Sequence, residues 1–160
     1  ELFTKAISLN PNYASAYFNR GSVYYGLENY SKALSDLTKA IELNPYEAGV
    51  YNQRGNVYMV GFKEYSKAIL DYTKTIELDP EFNGVYNNRG AAYRNINNNE
   101  SALSDFSKEI EIHPNQPAAY FNRGLMLYNT GSKIKGCEDF YKASELGHLD
   151  AKSVYNRYCR

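Results

Sequence analysis

Four arginines (Arg20, Arg54, Arg89 and Arg123) and four aspartates (Asp36, Asp71, Asp105 and Asp139) recur along the chain in a common register. Such a set admits two chemistries. A row of exposed guanidiniums in a positive field would bind phosphate groups. Guanidiniums held inside a fold must instead be paired with carboxylates. With 18 basic and 18 acidic residues the formal charge is zero, so no positive field is expected and pairing is the stronger reading. The partner of each arginine is an aspartate of its own unit or of the preceding one, and the sequence does not choose. Other reactive side chains are sparse. His113 and His148 have no histidine or cysteine neighbours at ligand spacing, so no metal site is expected, and both read as helix-end residues. No nucleophile is placed beside a base and no glycine loop could cradle phosphate, so neither a cofactor nor enzymatic activity is expected. Cys137 and Cys159 are too few for a disulfide framework. They are expected to be free buried thiols, the alternative being a bridge from the last unit to the helix after it.

The elements that must position these residues are set by a period. Gly21, Gly55, Gly90 and Gly124 each follow one of the arginines, at intervals of 34, 35 and 34 residues, and Pro11, Pro45, Pro80 and Pro114 keep step. A repeat of this length means a stack of small similar units. Each unit carries two helical patterns. The first has an aromatic residue, glycine and a second large residue at offsets of four and three, as in Tyr17, Gly21 and Tyr24. The second has a small residue and a large one four later: Ala33 and Leu37, Ala68 and Tyr72, Ala102 and Phe106, Gly136 and Phe140. Small faces large, so the helices of a pair approach closely. Turns are marked near Asn29, Gly61, Asn97 and Gly131, and prolines end the second helices. The extra residue of the second unit is expected in the turn around Gly61 to Lys63, where insertion is best tolerated. The resulting division is 1–13 (a second helix alone), four repeats at 14–47, 48–82, 83–116 and 117–150, and a terminal half-unit helix at 151–160. The opening residues read as the end of a repeat, and the sequence as a piece of a longer protein.

Composition narrows the function classes. A chain that is 43% hydrophobic and 22% charged has the balance of a folded protein. Zero net charge argues against a nucleic-acid surface, which needs a basic excess. No stretch of eighteen apolar residues is present, so no membrane span is expected.

The pattern closely resembles the tetratricopeptide repeat. Tyr17, Gly21, Tyr24, Ala33, Leu37 and Pro45 carry it in the first repeat. Tyr51, Gly55, Tyr58, Ala68, Tyr72 and Pro80 carry it in the second, and Tyr86, Gly90, Tyr93, Ala102, Phe106 and Pro114 in the third. An arginine consistently replaces the family's leucine-like residue. The fourth repeat drifts further, with Leu127, Gly136 and His148 in place of tyrosine, alanine and proline. The resemblance implies an all-α, right-handed superhelical solenoid of antiparallel helix pairs, whose first helices line a concave groove that receives peptide segments.

On a helical wheel the groove arc holds the residues three and two before each glycine and one, four and five after it. The candidate peptide-binding residues are therefore Phe18, Asn19, Ser22 and Tyr25; Asn52, Gln53, Asn56 and Met59; Asn87, Asn88 and Arg94; and Phe121, Asn122 and Tyr128. Asn19, Gln53, Asn88 and Asn122 form a column of amides able to bond any peptide backbone. Phe18, Tyr25, Met59, Phe121 and Tyr128 would supply apolar pockets. The family's carboxylate-gripping mode is disfavoured, because the arc has no lysine and Arg94 is its one clear cation. The expected function is a scaffold for a protein or peptide partner. The alternatives are self-association into a homo-oligomer through the apolar array ends (Leu2, Phe3 and Ile7; Val154) and a substrate-recruiting arm of a larger enzyme.

Overall fold

A computed structural model describes residues 1–159, which form two compact halves divided between Phe82 and Asn83. The N-terminal half contains α1 (Leu2–Leu9), α2 (Ala14–Gly26), α3 (Tyr30–Leu43), α4 (Ala48–Asn56) and α5 (Tyr65–Leu78). A π-helical segment, Val57–Phe62, continues α4. The C-terminal half contains α6 (Val85–Asn95), α7 (Asn99–Ile112), α8 (Pro117–Asn129), α9 (Lys133–Glu145) and α10 (Ala151–Tyr158). Among the described residues there is no strand. Hairpins pair α2 with α3, α4 with α5, α6 with α7 and α8 with α9.

Local sequence explains the boundaries. Each hairpin turn has one left-handed residue: Glu28, Lys63, Asn97 and Gly131. Asn29 and Asn98 cap α3 and α7 by accepting from the backbone N–H of Lys32 and Ser101. Asn10, Asn44 and Asp79 precede prolines and are extended, with φ of −138°, −143° and −145°, and His113 precedes the fourth proline with φ −125° and ψ 74°; a proline ring disfavours helical backbone in the residue before it. Where His148 replaces proline, Gly147 takes the left-handed conformation that ends α9.

The hairpins close on the small-into-large contacts that the sequence predicts. Ala33, Leu37, Ala68, Tyr72, Ala102, Phe106 and Phe140 are all buried. At Gly90 the fit leaves no room for a side chain: a Cβ there would lie 2.8 Å from the Phe106 ring and 3.2 Å from the Ala102 carbonyl oxygen. The Tyr72 phenol is buried in the second hairpin and donates to Asn56 Oδ1 at 2.8 Å. Burial first, then the neighbouring Tyr25 and Asp71, push its pKa far above the ordinary phenol range.

The second hairpin corrects one expectation. Its additional residue does not lengthen the turn; it is absorbed within the helix, as the wider π-helical turn Val57–Phe62. Gly61 lies inside that segment and presses on the Tyr30 ring of the preceding hairpin, so it marks a close approach rather than a turn. The left-handed turn residue is Lys63.

Each repeat arginine pairs with the aspartate of its own hairpin. Nε and Nη2 donate to the two carboxylate oxygens at 2.7 and 2.8 Å for Arg20–Asp36, and at 2.8 Å for both bonds in Arg54–Asp71, Arg89–Asp105 and Arg123–Asp139. The helix before each of these hairpins contributes a hydroxyl in place of a carboxylate: Nη1 of Arg20, Arg54 and Arg123 reaches Thr4, Thr38 and Ser107 at 3.3, 3.5 and 3.3 Å. Arg20, Arg54 and Arg89 also lie between two tyrosines, those three before and four after, at 5.6–6.0 Å from the ring centroids. Arg123 keeps only Tyr120, because Leu127 occupies the other place. The hydrogen bond to aspartate raises each arginine pKa against the opposing effect of burial. A raised pKa on a cation means that its contribution is complete below the ordinary guanidinium range and is lost only above the raised value, so each guanidinium stays charged throughout the physiological range.

Two measurements check this account. Arg54→Ala leaves the Asp71 side chain, 7% exposed, without its counter-charge and is expected to destabilise the protein by about 3 kcal/mol in chemical unfolding; an unchanged midpoint would refute the pairing as a structural constraint. Gly90→Ala is expected to cost about 1–3 kcal/mol through overpacking against Phe106. Gly26→Ala, at a position with nothing within 4 Å, should leave stability unchanged or raise it by up to about 1 kcal/mol.

Candidate functional site

In the N-terminal half the candidate residues lie on α2, α4 and the π-helical segment. Asn19 is exposed, while Phe18, Ser22, Tyr25, Asn52, Gln53, Asn56 and Met59 are half-buried. Several are engaged within the fold. Ser22 Oγ donates to the Phe18 carbonyl one turn back at 3.0 Å. Asn56 accepts from Tyr72, which fixes its amide. Tyr25 packs edge-on against Tyr30 at 5.8 Å, and burial, with Tyr30 second, raises its phenol pKa. Phe18 and Asn19 line a pocket of about 250 Å³ together with Ser15, Asn44, Glu47 and Val50. The sequence reading included neither Asn44 nor Glu47, because it assigned the arc to first helices alone; these two come from the end of α3 and the start of α4.

In the C-terminal half the structure joins three candidates directly. Asn122 on α8 donates from Nδ2 to Asn87 Oδ1 on α6 at 2.9 Å. Its own Oδ1 accepts from Arg94 Nη1 at 3.2 Å. An amide has two N–H donors and two acceptor lone pairs, so Asn122 retains one of each for a visiting backbone. Asn88, next to Asn87 on α6, is half-buried.

Phe121 and Tyr128 are placed differently from the open pockets that the sequence suggests. Phe121 stacks on His148 at 4.1 Å and tilts against Phe140 at 5.8 Å. Tyr128 meets Phe140 at 6.2 Å and Tyr158 at 5.7 Å, with the Lys133 ammonium 5.5 Å from its ring centroid. Both rings are committed to partners within the half.

The sequence reading missed Glu109. It is a fully buried carboxylate on α7, in the column where α3 and α9 carry Ala40 and Ala143. Oε1 accepts from the Gly84 N–H at 2.9 Å and Oε2 from the Asn87 N–H at 3.3 Å. Glu109 thus satisfies donors at the start of α6, where a negative charge also suits the helix dipole. His113 Nδ1 lies 2.9 Å from the same Oε1. A lone charge in an alanine column was the available signal. Glu109 positions Asn87, and Asn87 in turn orients Asn122. Thr75 occupies the same column in α5 and donates to the Ala48 carbonyl at 3.3 Å.

Cys137 and Cys159 form a disulfide, with Cα atoms 5.7 Å apart, so the expectation of free thiols is corrected. Fold packing places Cys137 of α9 beside the end of α10, a proximity that two isolated cysteines in a sequence do not reveal. Among the described residues no group of three or more His, Cys, Asp or Glu could hold a metal ion, and no helix is long and apolar enough to cross a membrane.

The profile of the tetratricopeptide repeat matches residues 14–47. No curated protein sequence matches the chain. Among solved structures, MamA superposes with a TM-score of 0.84 at 24% identity, over 94% of this chain and 87% of MamA. YrrB, described as a TPR protein with an unusual peptide-binding site, gives 0.80 at 26% identity, over 100% of this chain and 86% of YrrB. This is a tetratricopeptide-repeat fold. The first TPR of Spaghetti (RPAP3), solved bound to the HSP90 peptide SRMEEVD, gives 0.70 at 23% identity, over 73% of this chain and 92% of that one. Against the repeat pattern, the arginine that replaces the leucine-like residue is accounted for by its aspartate.

Glu109→Ala removes the acceptor of two amide N–H groups and is expected to destabilise the protein by about 2–3 kcal/mol, with faster amide exchange at Gly84 and Asn87. Unchanged exchange there would show that Glu109 does not organise the start of α6.

Proposed function

We propose that the chain is a non-catalytic scaffold that binds an extended peptide segment of a partner protein through the inner faces of its first helices. The observation that carries this reading is the hydrogen-bonded set Arg94–Asn122–Asn87, which fixes a guanidinium and two amides on one face with bonding capacity to spare. Side chains held in place before binding lose little entropy on binding. Amides bond a backbone whatever its sequence, while Phe18 and the small pocket beside it would select side chains. In the N-terminal half, Asn19, Ser22, Tyr25, Asn52, Gln53, Asn56 and Met59 form the corresponding surface, and Asn88, Phe121 and Tyr128 complete the set in the C-terminal half. The peptide-bound RPAP3 repeat and the peptide-binding site ascribed to YrrB support the reading at the level of the fold. Neutral overall charge supports a protein partner over nucleic acid.

Self-association is a second reading. The observation that favours it is the exposure of Leu2 and Leu9 on α1, at 76% and 78%. Light scattering on the unliganded protein separates the two, since only self-association gives dimers without a peptide.

The binding reading is tested by selecting peptides from a displayed random library on the wild-type chain. Their affinities are then measured for the Asn88→Ala/Asn122→Ala double variant and for Arg94→Ala. A loss of roughly tenfold or more in Kd, about 1.4 kcal/mol or more, is expected for the double variant. Equal affinity for wild type and double variant would exclude the amides as the contact.

A further inference from the structure

Residues 151–158 echo the repeat in sequence, with Asn156-Arg157 matching Asn122-Arg123. The packing of α10 on α9 does not keep that register. One repeat of 34 residues, the interval from Gly90 to Gly124, makes Tyr155 the equivalent of Phe121 and Tyr141 the equivalent of Ser107. Tyr141 meets Tyr155 at 5.6 Å, whereas Ser107 meets Arg123, two positions further along its helix. Ala151, the equivalent of Pro117, is fully buried, whereas one repeat earlier the fully buried residue is Ala119. Leu103 shares a pocket with Leu127, whereas its equivalent Cys137 bonds Cys159, two residues short of the matching place. The ring contact, the buried alanine and the disulfide all fall two residues short of the repeat register. In this slipped register Asn156 stands where a repeat has its glycine.

What holds α10 is narrow. It has eight residues, one of them buried, and no side-chain cap at its start. A helix of that length is marginal without outside support. That support includes the buried Ala151, the Tyr141–Tyr155 and Tyr128–Tyr158 ring contacts and the disulfide, which joins residues 22 apart. The disulfide lines an open cleft of about 690 Å³ with Lys133, Ile134 and Tyr155, so a reductant can reach it. Through Tyr158, α10 covers Tyr128 on α8, one of the residues of the proposed binding face.

We propose that the Cys137–Cys159 disulfide is a redox clasp: closed, it holds α10 with Tyr158 against Tyr128; reduced, it releases α10 and uncovers that end of the α8 face. Its consequence for a ligand rests on the binding reading above; the release itself does not. The reductant is a dithiol. One of its thiolates attacks a cystine sulfur, forming a mixed disulfide and expelling the other cysteine as thiolate. The second reductant thiolate then closes on the first, leaving an oxidised reductant and two protein thiols after uptake of two protons, a two-electron exchange.

The test compares the protein with and without dithiothreitol, alongside Cys137→Ser/Cys159→Ser without reductant. Amide exchange is read across residues 151–158, and nitration by tetranitromethane is read on tryptic peptides. Gly124–Lys133 contains Tyr128 as its sole tyrosine, and Ala68–Lys74 contains only the buried Tyr72. The reduced protein and the double variant are expected to show several-fold faster exchange in α10 and several-fold more nitration at Tyr128, with Tyr72 unmodified. Equal exchange and nitration in both redox states would overturn the clasp, as would two titratable thiols before reduction. Nitration of Tyr72 in step with Tyr128 would replace local release with general unfolding. None of these readouts needs a peptide, so they stand whether or not the amide variants lose binding.

Discussion

A buried carboxylate facing a guanidinium across each hairpin is the constraint on which the rest of this structure depends. The four aspartates are almost completely enclosed, and an enclosed charge without a partner would cost several kcal/mol. The arginine that answers each one must come from a fixed place on the first helix, directly before the glycine that lets the second helix in. Charge and steric fit therefore specify the same alignment of the two helices. The flanking tyrosines restrict the guanidinium further, so each pair is held by ring faces as well as by two parallel hydrogen bonds.

That alignment fixes which side chains reach the inner faces. Once glycine and arginine face the second helix, the position of every other residue on the first helix is set, including Asn56, Phe121 and Tyr128, which also touch the second helix. Asn122, Asn87 and Arg94 meet because α6 and α8 present equivalent arcs to one another. Glu109 adds a second layer of control from beneath. By holding the backbone at the start of α6 it ties the position of one face residue to a carboxylate in the core.

The parts of the fold legible in the sequence were those set by sterics and repetition. Gly90 against Phe106, or Ala33 beside Leu37, announce themselves because only small-with-large sequences satisfy close helix packing, and the period repeats the message. The arginine and aspartate columns were equally visible, but the direction of pairing was not. A threonine or serine in the preceding second helix takes up the remaining donor, and such residues carry no distinctive signal. The π-helical turn escaped because an added residue looks the same in sequence whether a loop or a helix absorbs it. Phe121 and Tyr128 were placed on the correct helix, yet their ring partners His148 and Tyr158 come from segments where the repeat has drifted. The disulfide was legible only as an alternative and the two-residue slip of α10 not at all, because both depend on packing at the place where periodicity stops being a guide.

The ion pairs have one further consequence, for how such a chain can change over evolutionary time. Each arginine finds its carboxylate inside its own hairpin, and Arg20, Arg54 and Arg123 ask only a hydroxyl of the helix before. A gene segment encoding one hairpin therefore carries its charge compensation with it. Duplication or loss of such a segment leaves no orphaned ion behind, so the number of hairpins can vary without redesign of those that remain.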